Sequence, residues 1–393
     1  MFLDFCSILF RSGTFDLGHV IVYFKHISIR TTQISTEVKV YIPIKEAHGL
    51  LNPYVATLFD AMKSKHKDVE IIYGEEFFWS IDVFDCDIVH IQWPDILLGK
   101  KTGNIKSCED VKKRLEDIKR QHISIFSTCH NLAPHYSQLK EETEIYNIVY
   151  QYSDILLHLG KYSFDLLQQS LPHVKHLILP HHIYDEKYGQ QSYAHGIKKL
   201  GLDKTKRYVI CFGAFRSSEE RKLVYQVSKL LNNHNIEILA PSFTTVSPPR
   251  GVIHKLYTSI KKKYYKTKYP HLHIKGDVVT DEELPYYYAV SDVAFIQRRK
   301  ILNSGNVPMA LMMGKVVVGP DVGNIGELLK SLNNPVFNVN STPKEISDII
   351  LDSIDLAYSG LGKKNQKYAY LSLSSSVVAD QLFNYYLKNK KKS

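Results

Sequence analysis

The sequence is poor in cysteine: five in 393 residues, at Cys6, Cys86, Cys108, Cys129 and Cys211, odd in number and without a CxxC pair. That pattern excludes a disulfide framework and argues against a zinc site, so a reducing, cytoplasmic setting is expected. No uncharged apolar run reaches about 18 residues, so no membrane-spanning helix is expected. Met1–Phe10 is apolar, but Asp4 interrupts it and neither a basic lead nor a small-residue cleavage site flanks it, which speaks against a signal peptide. There is no GxGxxG after a first strand and no GxxxxGK[ST], so dinucleotide oxidoreductases and P-loop NTPases lose their main support. Zinc-finger and RNA-recognition signatures are missing too, and the aromatics form no repeated stacking platform, so nucleic acid is not an expected partner. Asp87, His90 and Gln92 have the residue types of a metal site, but alternation along a strand accounts for them, and no metal or cofactor is expected.

What is present is a chain with 44% hydrophobic residues, long enough for two domains with cores of their own. The net charge of +10 suits a phosphate-bearing substrate, an anionic membrane face or nucleic acid, and charge alone does not choose among them. Lysines concentrate at Lys261–Lys268 and Lys388–Lys392, where a solvated face is the ordinary explanation. Residues 1–36 show no sustained period and read as a poorly ordered extension. From Glu37 the pattern becomes strand, loop, helix: Val38–Ile42, then Asn52–Met62, Val69–Tyr73, Asp87–Ile91, Cys108–Lys119, Ile123–Ser127, Glu141–Tyr152, Asp154–His158, Ser163–Ser170 and His176–Leu179. The polar stretch Asp185–Lys206 reads as a linker. The alternation then restarts with Tyr208–Phe212, Glu219–Leu231, Ile236–Ala240, His273–Lys275 and a short helix over Asp281–Ala289.

The most informative stretch is Ser291–Leu329. It contains a buried strand (Asp292–Ile296), a turn ending in Asn303-Ser304-Gly305, a helix of small and apolar residues, a second buried strand (Lys315–Gly319) and a Gly-bounded loop. Such a βαβ unit sets the Asn-Ser-Gly turn beyond the carboxyl end of a strand, where open α/β sheets bind ligands and where free N–H groups suit a phosphate. Helices over Thr342–Leu356 and Ala369–Leu387 close the chain.

The order of strand, polar turn, small-residue helix, Gly-Lys-Val-Val-Val-Gly-Pro and Gly-Asn-Ile-Gly-Glu resembles the donor-sugar domain of GT-B-fold glycosyltransferases. It is most like the family 4 type and, within it, bacterial polysaccharide enzymes with a Leu-Asn-Ser-Gly turn. That resemblance implies two doubly wound Rossmann-like domains facing across a cleft: an acceptor-side domain over 37–190, a nucleotide-sugar domain over 191–360, and a helix over 361–393 that crosses back to the first and ends in a basic tail. It also implies a hexosyltransferase that works without a metal, with a glycan or lipid-linked acceptor and peripheral contact with an anionic membrane. One departure stands out. Most family 4 members carry two glutamates seven residues apart here, whereas this chain has Ile301 and Met309 near those places. A non-catalytic nucleotide- or glycan-binding protein is therefore the competing reading.

Transfer from a nucleotide-sugar needs its diphosphate neutralised, because negative charge develops on the departing phosphate. On the donor side the expected residues are Gly213 and Arg216, with Arg221 or Lys222 in the place of the usual second cation. Arg298, Asn303, Ser304 and Gly305 follow, and Glu327 stands in for a ribose-binding carboxylate. Arg216 is also expected to act on the leaving group. On the acceptor side His130 is the expected catalytic histidine, since imidazole titrates near neutrality. His48, Gly49, Asn52, Trp93 and His135 are the expected acceptor contacts. Turn capping or packing is the ordinary alternative for the histidines, and surface pairing for Arg298 and Arg299.

Overall fold

The computed structural model describes residues 38–44, 52–99, 103, 105–134, 140–185, 187–244, 252–276 and 278–390. The N-terminal stretch 1–36, His48, Gly49 and His135 lie outside the described residues.

Among the described residues, runs of β-branched and aromatic residues make twelve strands, all paired in parallel. In chain order they are β1 Val38–Ile42, β2 Val69–Tyr73, β3 Ile88–Ile91, β4 Ser124–Cys129, β5 Ile155–His158 and β6 Lys175–Ile178, followed by β7 Arg207–Ile210, β8 Ile236–Leu239, β9 Leu272–His273, β10 Val293–Phe295, β11 Val316–Pro320 and β12 Val336–Phe337. They form two six-stranded sheets, ordered β2-β1-β3-β4-β5-β6 and β12-β11-β10-β7-β8-β9. The expectation of two doubly wound α/β domains holds. In each sheet the order reverses once, between β1 and β3 and between β7 and β10, and a crevice opens outside the carboxyl ends of the strands at such points. Gly213–Ser217 and Gln297–Asn303 meet at the second of them.

Local signals start the helices. Asn52 caps the helix Pro53–Lys65, its Oδ1 accepting from the Tyr54 N–H at 2.9 Å with proline at the first helical position. Ser107 and Asp110 form a capping box, as do Thr342 and Glu345. The stretch read as a linker contains a helix, Tyr193–Leu200, capped by Ser192 and ended by left-handed Gly201 (φ 63°). Its lysine-rich outer face hid the period, while Gly196 lies against Val290, where a Cβ would come within 2.5 Å of that side chain. At the C-terminus there are three helices, Pro343–Tyr358, Leu361–Ser372 and Ser375–Asn389. The break comes at Leu373-Ser374, where the Leu373 carbonyl accepts from Ile183 N–H at 2.7 Å and Ser374 caps the last helix.

That last helix packs on Pro53–Lys65. Val378, Ala379, Leu382, Phe383 and Tyr386 join Val55, Leu58, Phe59 and Met62 in one buried cluster. Asp380 pairs with Lys65 and with His66, and Ser124 Oγ donates to the Asn389 carbonyl at 2.5 Å. Among the described residues no helix is long and apolar enough to cross a membrane.

Both tryptophans, Trp79 and Trp93, precede β4, so their fluorescence reports on the first sheet. Leu382→Ala, some 290 residues further on, removes a fully buried side chain from that core. It should cost about 2–5 kcal/mol and shift the tryptophan-detected urea midpoint. An unchanged midpoint would mean that the last helix does not stabilise the first sheet.

Candidate functional site

After β7 the backbone turns at Gly213, whose φ of 105° suits only glycine. A Cβ there would stand 2.5 Å from Asn306 Nδ2, and that amide donates to the Phe212 carbonyl at 2.7 Å. Asn306, which the sequence reading passed over, thus pins the loop after β7 to the turn after β10. Ser217 caps the helix Ser218–Asn232, accepting from Glu220 N–H at 3.1 Å. Glu220 then reaches back: one oxygen accepts from Arg216 N–H at 2.8 Å and the other lies 3.7 Å from Arg298 Nε. Arg298 donates to the Ala214 carbonyl at 2.5 Å. Arg221 donates to the carbonyls of Phe215 (2.8 Å), Ser217 (3.0 Å) and Phe243 (3.1 Å). Arg221 and Arg298 therefore shape the loop that presents Arg216.

The turn after β10 faces the first half of the chain. Asn303 Nδ2 donates to the His130 carbonyl at 2.9 Å and to the Cys129 carbonyl at 3.2 Å, both at the end of β4. Asn303 Oδ1 accepts at 2.8 Å from Asn324 Nδ2, which also donates to Ser163 Oγ at 3.0 Å. Asn324 Oδ1 accepts from Ser163 N–H at 3.0 Å, and Glu327 accepts from Tyr162 N–H at 2.7 Å. Two side chains of the second half thereby satisfy the opening N–H groups of Lys161–Ser170, a helix of the first. The approach depends on Gly160, where a Cβ would lie 2.8 Å from Asn324. Ser304 Oγ accepts from Asn306 N–H at 3.3 Å, and a Cβ on Gly305 would come 2.7 Å from the Tyr184 hydroxyl. The helix that follows is only seven residues long, Asn306–Met312.

On the first half, a buried polar chain ends at His130. His90 Nδ1 meets Tyr386 Oη at 2.5 Å, Gln92 Nε2 meets His90 Nε2 at 3.0 Å, and Gln92 Oε1 meets His130 Nε2 at 2.9 Å. Burial pulls His90 down to about 3, so it is neutral. An amide N–H donated to His90 Nε2 puts the His90 proton on Nδ1, toward Tyr386. The same amide orientation makes Gln92 Oε1 an acceptor for His130 Nε2–H, which leaves the basic lone pair of His130 on Nδ1. Trp93 stacks on the ring at 4.7 Å and Tyr54 meets it edge-on at 4.7 Å. Asn52 serves the backbone as a cap. Asp87, for its part, accepts from Lys39 N–H at 2.8 Å within the sheet.

Between these walls lies a cleft of about 1230 Å³. Asn131, Leu132, Ala133 and Tyr162 line it from the first half, and Ser217, Gln297, Leu302, Gly323 and Asn340–Pro343 from the second. Its lining cations are Lys222, Arg299 and Lys300, and its lining acids Glu219 and Glu220. Arg299 donates to the Ser341 carbonyl at 2.5 Å. Among the described residues no three His, Cys, Asp or Glu side chains gather as a metal set would require. Ile301 lines the cleft and Met309, 4% exposed, packs in the core.

No family model matches the chain, and no curated protein matches it. Solved structures are similar in fold. A sucrose-phosphate synthase of Thermosynechococcus elongatus superposes with a TM-score of 0.65 at 11% identity, over 90% of this chain and 98% of that one. Anabaena HepE, solved with UDP-glucose, gives 0.62 at 11% identity over 89% and 99%. A glycosyltransferase of Rickettsia africae gives 0.58 at 12% identity over 90% and 98%. The architecture is the GT-B fold.

If Asn324 holds the halves together, Asn324→Ala should raise the radius of gyration in small-angle scattering. It should also cost about 1–3 kcal/mol, because the buried Ser163 N–H loses its acceptor. Gly160→Ala should open the same seam from the opposite wall, and scattering identical to wild type for both would refute the bridge. Burial also pulls His158 and His181 down to about 3, as it does His90. Their folded-state values lie below the unfolded one, so the unfolded chain takes up protons first. Stability should be full above about pH 6.5 and fall as pH drops toward 3, by up to about 1.4 kcal/mol per pH unit for each histidine. Equal urea midpoints at about pH 7 and about pH 5 would contradict this.

Proposed function

We propose that this protein transfers a sugar, of hexosyl type, from a nucleotide-sugar to a glycan or lipid-linked acceptor in the assembly of a surface polysaccharide. The observation that carries the reading is the cleft at the carboxyl ends of both sheets, with Lys222, Arg299 and Lys300 lining one side and Asn131, Leu132 and Ala133, which follow His130, lining the other, while Asn303 ties the turn after β10 to the His130 carbonyl. The diphosphate is assigned to the loop Gly213–Ser217, with Arg216 gripping phosphate oxygens and Lys222 and Arg299 adding charge as the leaving group departs. Ser304 and the N–H groups around Gly305 lie next to this wall, and Glu327, held by Tyr162, stands at the ribose side. His130 accepts the proton of the attacking hydroxyl at Nδ1, its tautomer fixed by Gln92, while Trp93 offers an aromatic face to a sugar. His48, Gly49 and His135 complete the acceptor assignment. A UDP-sugar is the first donor to test, given what HepE was solved with. Lipid-linked acceptors and the basic balance of the chain both favour peripheral contact with an anionic membrane.

The packing of Met309 and the apolar Ile301, where related enzymes carry carboxylates, favours a second reading: a protein that binds nucleotide or glycan without turnover.

Purified protein incubated with a panel of nucleotide-sugars and acceptor extracts should release nucleotide. Arg216→Ala should lower that release at least about tenfold and Arg216→Lys by less, since a charge-assisted bond is worth roughly 1.5–3 kcal/mol. Gln92→Leu should also lower release, because His130 loses the acceptor that fixes its tautomer. Nucleotide binding with no release for any donor would favour the second reading, and full activity of Arg216→Ala would remove the phosphate assignment.

A further inference from the structure

The helix Val252–Lys268 turns an aromatic and cationic face to solvent. Its inner side is occupied: Tyr265 and Tyr269 pack against the second core, with the Tyr269 ring 4.8 Å from Tyr225 and 4.9 Å from Phe243. Its outer side carries Tyr257, Ile260 and Tyr264, which are 57%, 60% and 55% exposed. Spacings of three and four residues align them in one stripe, and Lys268 continues it. Lysines frame the rings: Lys261 Nζ lies 5.8 Å from the Tyr257 ring, and Lys268 Nζ lies 5.3 Å from that of Tyr264. The helix has six lysines and no acidic residue.

A solvated face ordinarily mixes both signs of charge and keeps large apolar side chains apart. This one has a single sign and a row of large side chains, so it calls for a partner that is anionic and has an apolar interior. Tyrosine sits well at a headgroup layer, isoleucine just beneath it, and lysine stems lie along the surface with their ammonium groups on lipid phosphates. We propose that the outer face of Val252–Lys268 is the surface by which the protein lies on an anionic phospholipid bilayer. This rests on the membrane contact proposed above and assigns it to one element. The helix follows β8, the neighbour of β7, and so begins on the sheet edge that borders the cleft. A lipid-linked acceptor would be presented on that edge.

The full chain should co-sediment with vesicles of phosphatidylcholine and phosphatidylglycerol and not with phosphatidylcholine alone. Replacing Lys261 and Lys268, the lysines that frame the stripe, together by glutamine should weaken partitioning roughly twenty-five-fold, at about fivefold for each lysine. The triple variant Tyr257→Ser, Ile260→Ser, Tyr264→Ser should lose binding that survives at high salt. Four of these five side chains are exposed and Lys261 is half-buried, so folding is retained, and thermal melts check this. Glutamine at the exposed Lys344 and Lys363 makes the same change of charge elsewhere and should leave binding intact. Equal loss in that control would overturn the assignment to this helix while leaving membrane contact standing. No binding of wild type to anionic vesicles would overturn both. Duplex DNA binding lost in the helix variants, without vesicle binding, would make the face a nucleic-acid surface instead.

Discussion

The relation between the two halves depends on a small polar bridge, in which Asn324 bonds at once to Ser163 of the first half and to Asn303 of the second, and Asn303 passes the contact on to the His130 carbonyl. Ser163 and Asn324 are withdrawn from water and Asn303 is half-buried, so a donor or acceptor of the buried pair left without its partner would cost about 1–3 kcal/mol, more than a typical formed bond contributes. That asymmetry makes the bridge act as a unit. A helix start adds to it: the first N–H groups of Lys161–Ser170 have no partners within their own helix and take them from Asn324 and Glu327. The seam is thus closed by groups that each half would otherwise leave unsatisfied.

The same economy explains the cationic wall. Four arginines lie near the switch point of the second sheet, and three of them donate to carbonyls: Arg221 to three, Arg298 to Ala214 and Arg299 to Ser341. Loops crowded at strand ends leave carbonyls unpaired by any ladder, and a guanidinium with five donors collects them in one place. Positive charge is thereby held at the strand ends whatever the ligand, and Arg299 lines the cleft itself. Arg216 differs in that its backbone N–H, fixed by Glu220, sets where its side chain starts.

Much of the fold was legible in the sequence because parallel strands buried on both faces read as unbroken apolar runs, as in Val316-Val317-Val318 and Ile155-Leu156-Leu157. The helix Tyr193–Leu200 was not, since eight residues with two terminal lysines carry too little period to stand out from a polar linker. Strand ends pointed to the edge of the sheets where the cleft lies, but not to which side chains turn into it: of the described site residues expected from the sequence only Lys222 lines it. Asn303 reads as a phosphate ligand in sequence, whereas its amide bonds to carbonyls 173 and 174 residues away, a distance no local pattern encodes. Asn306 and Asn324 were missed for the same reason. The signal that pointed to them was glycine: Gly213 and Gly160 each stand where a Cβ would strike one of these asparagines.

The chain's eighteen histidines make chance placement at the cleft a serious consideration, and burial is what separates them. His90 and His158 are fully enclosed and held neutral, so they serve as fixed donors and acceptors. His130, 8% exposed, lies at the end of the chain that His90 begins, and that chain starts from Tyr386 on the last helix. The return of the C-terminus to the first half therefore has a consequence beyond packing. It places beside His90 Nδ1 a hydroxyl that can accept the ring proton held there when the Gln92 amide donates to Nε2, and the same amide orientation has Gln92 Oε1 accepting from His130 Nε2. The His130 proton is in this way linked to a hydroxyl about 250 residues downstream, through groups that are individually ordinary.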